Sequence, residues 1–224
     1  MSVPKSIRAG ACVAALVGAL SACSNDPAQL EQINVIRAGF ASLFAGDQPP
    51  QGVPDPARML ATTAQPLILV VNEETRQSSY LVEIERNGAY QSFATSQRRV
   101  FVLSEGMVTA TRGLGNDLMS ADLATATAVV RSRQAGEASR VMRFLDGEWQ
   151  TVSRRFECSV TLGDTVRVTF GEVDTSAVSV VEACTGDGVS FSNLYAVSPG
   201  GDIVQSRQWL GDGLGYVQIQ QVRQ

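Results

Sequence analysis

The sequence predicts a mainly β protein: a long antiparallel meander, curled into a barrel or folded into two layers, behind one N-terminal helix. Three observations predict it. From Pro66 onward the hydrophobic pattern has period two, broken at strand-length intervals by Gly, Asp and Asn. Nearly every link between the apolar runs is short, which makes consecutive strands antiparallel neighbours. A sheet of about a dozen strands does not stay open and flat, so it closes or splits.

Composition narrows the chemistry. The 224 residues are 44% hydrophobic and 18% charged, as in a folded globular chain. There is no His, so a Ser-His-Asp triad, a Cys-His dyad and a His-ligated metal are all excluded. Lys5 is the only lysine; if its segment is cleaved, Schiff-base and P-loop chemistry go with it. A net charge of −4 argues against a nucleic-acid partner. The expectation is a non-enzyme with no metal and no cofactor.

The chain opens with Lys5 and Arg8, then an uncharged, mostly apolar run from Ala9 to Leu20. That run is too short to cross a bilayer and the right length for a secretory signal. It ends in Leu20-Ser21-Ala22-Cys23, which resembles the lipobox of bacterial lipoproteins. Small residues before the cysteine admit the peptidase, and the Cys23 thiol then carries the lipid. Each buried CH2 contributes about 0.8 kcal/mol, so a multiply acylated Cys23 holds the chain on a membrane without a transmembrane helix. Ser24 rather than Asp follows Cys23. By the sorting pattern of enteric lipoproteins, that implies the outer membrane, with the body facing the periplasm. Residues 1–22 are therefore expected to be a signal peptide, and 23–56 a lipidated N-terminus, a helix and a connector.

The helix is expected to start at Asp26, a good N-cap, with Pro27 in its first turn and Gly46 past its end. Leu30, Ile33, Ile36, Phe40, Leu43 and Phe44 recur at helical spacing. It reads as packed on the domain core rather than lying on lipid, because its polar face lacks a row of basic residues. Asp47 to Pro56 is Pro-rich and reads as a connector.

Residues 57–224 form the β domain. Strands are expected over 67–72, 78–86, 89–95, 99–104, 107–112, 125–132, 139–145, 148–154, 155–162, 165–171, 178–184, 189–197, 202–209 and 215–222. Asn87-Gly88 and Asp146-Gly147 are hairpin signals. Glu105-Gly106, Gly163-Asp164, Asp187-Gly188 and Gly200-Gly201 are further turn candidates. Residues 113–124 interrupt the pattern, and Asp117 to Ala124 fit one helical turn.

Of four cysteines, Cys12 leaves with the signal and Cys23 is acylated. Cys158 and Cys184 remain, both in strand-like runs, and an even remainder in an oxidising compartment predicts one disulfide.

Five motifs in order resemble one known family. They are Gln65 to Glu73; Thr111-Arg112-Gly113-Leu114-Gly115-Asn116-Asp117-Leu118-Met119-Ser120-Ala121-Asp122; Leu145 to Glu148 with Arg155 to Cys158; Glu182-Ala183-Cys184 with Phe191 to Tyr195; and Gln205 to Gly211 with Leu214-Gly215-Tyr216. Together they resemble the YjbF/GfcB family of capsule polysaccharide lipoproteins, in the form common among alphaproteobacteria. The chain departs from it at Asp212-Gly213, where relatives often carry a proline. The resemblance implies a deformed barrel built from a long meander, an outer-membrane lipoprotein, and a role in making or exporting capsule or exopolysaccharide. It carries no catalytic residues over.

Two groups are candidate polysaccharide or partner contacts. Arg112, Asn116 and Asp117 offer hydrogen bonds to sugar hydroxyls or to a protein of the export machinery; alternatively the glycines shape a turn, Asp117 caps it and Arg112 pairs with Asp117. Arg207, Gln208 and Trp209 with Tyr216 offer a sugar platform, an aromatic face flanked by polar forks; alternatively Trp209 is half core. Val173-Asp174-Thr175-Ser176 only faintly resembles an aspartic-protease turn, and no spacing singles out a carboxylate pair among 22 acids. Three functions compete: a tethered binding or scaffolding module, a lipocalin-like carrier with an apolar cavity, and a carboxylate-based polysaccharide-modifying enzyme.

Overall fold

The computed structural model describes residues 53–224. The expected signal segment, Cys23, the expected helix and most of the connector lie outside the described residues. The elements are α1 (Pro56–Leu60), β1 (Leu67–Asn72), β2 (Ser78–Asn87), β3 (Tyr90–Ala94), β4 (Val100–Ser104), β5 (Met107–Arg112), β6 (Leu118–Asp122), α2 (Ala124–Ser132), β7 (Gly136–Leu145), β8 (Thr151–Phe170), β9 (Val173–Gly186), β10 (Val189–Val197), β11 (Ile203–Trp209) and β12 (Tyr216–Arg223).

The strands form one twelve-stranded sheet in the order β5-β4-β3-β2-β1-β12-β11-β10-β9-β8-β7-β6. Every ladder is antiparallel, including the pairing of β1 with β12 that joins the two halves of the meander. The edge strands β5 and β6 follow one another in the chain, so the sheet nearly closes into a barrel at that seam. Side chains bridge it. The Leu118 amide donates to Thr111 Oγ1 at 3.0 Å, and Arg112 donates to the carbonyls of Leu118 and Met119 at 3.2 Å each. From β11, the fully buried Gln208 accepts from the Val108 amide at 3.0 Å and donates to the Gly106 carbonyl at 3.1 Å. Thus β5 is held at its open edge without a neighbouring strand.

The interior is packed by Leu81, Phe93, Leu103, Met107, Leu118, Met142, Phe156 and their neighbours. Phe191 stacks on Trp209 at 4.4 Å between centroids, and Phe156 meets both edge-on. A polar cluster is sealed inside. Glu182 accepts from Asn193 Nδ2 and the Tyr195 hydroxyl, each at 2.9 Å, and lies 3.4 Å from the Arg140 guanidinium. Burial works against the Arg140 charge, but Glu182 and Tyr195 outweigh it and hold its pKa above the usual value. Burial first, and then the Glu182 charge, push the Tyr195 hydroxyl well up.

Strand β8 absorbs three expected strands, 148–154, 155–162 and 165–171. Gly163-Asp164 is not a turn but lies at a register shift between Leu162 and Thr165, two residues against the single Ser179 of β9; the one extra residue is bulged out and the ladder resumes. The reversal comes at Gly171-Glu172 instead. Gly171 has φ +62°, and a Cβ there would lie 2.6 Å from the Val222 side chain. Its neighbour Glu172 donates its amide to the Val222 carbonyl at 2.8 Å. The end of the β8–β9 hairpin thus rests on β12, and Phe170 joins Leu67, Leu69, Val222, Met59 and Leu60 in a second apolar cluster. Cys158 and Cys184 are register partners on β8 and β9 and form the expected disulfide.

Two further expectations are corrected. Residues 125–132 are helical, not a strand, and the stretch 117–124, expected as a helical turn, instead holds β6 (Leu118–Asp122), with only Ala124 in the helix that follows. The Thr–Val-rich run Ala124 to Ser132 has β-type composition, but the residues it buries are Ala126, Thr127 and Val130, spaced for a helix face. The expected hairpin signals shift slightly: Gly88-Ala89 is the loop, closed by Asn87 and Tyr90, and 146–150 is a longer loop closed by Leu145 and Thr151. Glu105-Gly106 and Asp187-Gly188 are two-residue turns with positive φ at both positions, as a type I′ hairpin requires.

Candidate functional site

Connections in an antiparallel meander alternate between the two ends of the barrel. The turns at 88–89 and 105–106, helix α2 and the start of β1 fall at one end. The loops 73–77, 95–99, 113–117, 146–150 and 210–215 fall at the other. All six candidate contact residues gather toward this second end: Arg112 closes β5, Asn116 and Asp117 lie in its following loop, Arg207 and Trp209 finish β11, and Tyr216 opens β12.

What each can do differs. Asp117 accepts from Thr111 Oγ1 at 2.9 Å, from the Gly113 amide at 2.9 Å and from the Leu114 amide at 3.2 Å. It shapes the 113–117 loop. Arg112 spans the seam rather than pairing with Asp117. Trp209 is only 6% exposed and its ring face is covered by Phe191, so it offers no platform to a sugar. Arg207 forks onto Glu73 at 2.7 and 2.8 Å and lies 3.4 Å above the Tyr216 ring. Partial burial raises the Glu73 pKa, but hydrogen bonds from Arg207 and Gln218 and the charges of Arg207 and Arg76 outweigh it and lower it overall. The Tyr216 hydroxyl accepts from the Ser192 amide at 3.1 Å. Asn116 meets the 210–215 loop, donating its side-chain amide to the Gly213 carbonyl at 3.4 Å.

Asn116 and Asp117 line a cleft of about 470 Å³ between the loops 113–117, 146–150 and 210–215. A Cβ on Gly213 would lie 2.4 Å from that of Asn116, so glycine lets two loops meet at its floor. Arg154 and Asp212 pair across the cleft at 2.8 Å. Above them stands Trp149, 83% exposed. Of the two tryptophans, the candidate Trp209 is the buried one and Trp149 the exposed one. Trp149 follows Asp146-Gly147, a loop signal, and that neighbourhood was the available sign that its ring is outside. A second cleft of about 210 Å³ adjoins it, lined by Asn72, Thr75, Arg99, Phe101 and Leu114. Cys158, Cys184 and Glu182 are also close together, but the cysteines are spent in the disulfide and offer no metal ligand.

The family model for "Group 4 capsule polysaccharide lipoprotein gfcB, YjbF" matches residues 38–222. No curated protein matches the chain. Among solved structures, the hypothetical lipoprotein YmcC from Escherichia coli (K12) is similar in fold, with a TM-score of 0.66 at 14% identity over 86% of this chain and 95% of that one.

Proposed function

The chain belongs to the YjbF family of group 4 capsule polysaccharide lipoproteins, and from that premise we propose that it is a tethered, non-enzymatic binding or scaffolding module for exopolysaccharide assembly or export. Residues 1–22 are removed, Cys23 is acylated, residues 23–56 are the tether and 57–224 are the working barrel. The protein sits on the outer membrane and faces the periplasm. Its partners are the polymer or proteins of the export machinery.

One observation carries this reading: β1 starts at one end of the barrel, while the loop-lined clefts lie at the other. The tether runs into the first end. The loop end is then left free to meet a partner away from the lipid. A packed interior with a sealed Arg140–Glu182 pair supports recognition by the outside of the barrel over carriage of an apolar ligand within it. The cleft carboxylates also speak for binding: Asp117, Asp146 and Asp212 each have an oxygen engaged by a backbone amide or by Arg154.

The test is a strain lacking the chromosomal copy, complemented with wild type or Cys23→Ser. The variant should appear in the soluble periplasmic fraction, and surface polysaccharide should fall in both the deletion and the variant. A Cys23→Ser protein that stays on membranes, or a deletion with unchanged surface polymer, contradicts the proposal.

A further inference from the structure

We propose that the cleft beneath Trp149 is a saccharide subsite that takes an uncharged or amino-bearing sugar, with Trp149 as the stacking platform and Arg154, Asp212 and Asn116 as hydroxyl partners. This rests on the polysaccharide role above and names the ligand class of the loop end.

Trp149 is the most exposed large apolar side chain among the described residues. It is presented at φ +62°, a conformation that bulky residues rarely adopt. The loop is braced to hold it there. The Trp149 amide donates to the Asp146 carbonyl at 3.1 Å, and Asp146 Oδ1 accepts from the amides of Glu148 and Gln150 at 2.8 Å each. A braced loop with a free indole face is preorganised for the apolar C–H face of a pyranose, because little freedom is left to lose on binding.

The polar groups beside it are also fixed. Arg154 is paired with Asp212, and its guanidinium lies 5.9 Å from the Phe144 ring centre. Their side chains remain 31% and 62% exposed, leaving N–H groups and lone pairs for sugar hydroxyls. The charge balance selects the ligand: three carboxylates, Asp117, Asp146 and Asp212, face one guanidinium, Arg154. A uronate or phosphate meets net repulsion there. So does an anionic lipid surface, which attracts basic faces.

The test uses the full-length protein in detergent, titrated with oligosaccharides cut from the host's own exopolysaccharide. Alginate oligosaccharides serve as the uronate control, and vesicles of phosphatidylglycerol and phosphatidylethanolamine as the lipid control. Host fragments should shift the tryptophan emission to the blue and saturate; alginate and vesicles should not. Both Trp149→Ala and Trp149→Phe remove the reporting indole, so their binding is read by titration calorimetry: Ala should weaken it by about tenfold, while Phe keeps most of the affinity. Unchanged melting of both variants shows that the fold is intact. The proposal is overturned if host fragments do not bind, if Trp149→Ala binds as wild type does, if alginate binds equally, or if only vesicles move the emission. Should host fragments fail while the deletion strain still loses surface polymer, the subsite is wrong and the exopolysaccharide role stands. Should the deletion strain lose nothing, the role itself is wrong.

Discussion

Arg140 on β7 and Glu182 on β9 face each other across β8 at 3.4 Å, with 2% and 0% of their side chains exposed. Arg140 Nε and Glu182 Oε1 have no hydrogen-bond partner among the described residues. Such a pair is costly to desolvate and more costly to break, since removing one partner strands the other charge. Glu182→Gln should therefore destabilise the barrel by about 3 kcal/mol or more, and Arg140→Met should do likewise. The double replacement should recover much of the loss. Urea unfolding of the four proteins measures this; purely additive losses would show that the two charges do not act as a pair.

At the seam, Asp117 fixes Thr111 and the amides of Gly113 and Leu114. Asp117→Ala leaves those groups unpaired and should cost about 1–3 kcal/mol. The loss should be local. Amide exchange should quicken in β5 and β6 well before it does in β9 or β10. Uniform acceleration would mean the seam is not the weak line of the barrel.

The disulfide closes a loop with a sequence separation of 26 between strands that are already paired. Replacing both cysteines with Ala should cost about 3 kcal/mol, mainly through the unfolded chain. The β8–β9 ladder continues on both sides of the bridge, so the far-UV spectrum should hold. Loss of β signal under native conditions would show that the bond is needed to form the sheet.

Glu73 ties the β1–β2 loop to β11 and β12 through Arg207 and Gln218. Its folded pKa lies below the ordinary 4.5, despite partial burial, because those partners favour the charge. Ionised Glu73 therefore adds stability above the unfolded carboxyl's range, and that contribution disappears as the pH falls through the lower folded value. Glu73→Gln should reduce stability at pH 7 and flatten the acid limb of a stability–pH curve. An unchanged acid limb would contradict it.

The sequence makes much of the meander legible because period-two burial and glycine turns are local signals. Glu105-Gly106 and Asp187-Gly188 are positions where chain reversal needs positive φ, and both are turns. The pairing of Cys158 with Cys184 follows from elimination. Other features depend on distant partners. Helix α2 has strand-like composition, and its class is decided by packing beneath β7, where Thr125 Oγ1 accepts from the Ser139 amide at 3.0 Å. Gly163-Asp164 resembles a turn, yet the ladder beyond it continues because the hairpin end finds Val222. Trp149 sits beside the loop signal Asp146-Gly147 while Trp209 ends an apolar strand run, and the fold leaves the first in water and the second buried. Arg112 and Asp117 stand out in sequence as unusual chemistry, and the barrel uses both to close itself.

The barrel is proposed to work from a lipid anchor at Cys23. Mass spectrometry of the N-terminal peptide, from protein recovered out of its native host, tests it most directly. The expected peptide begins at Cys23 and carries the mass of a diacylglycerol thioether with or without an N-acyl chain. A peptide that begins elsewhere, or a Cys23 with a free thiol, contradicts it.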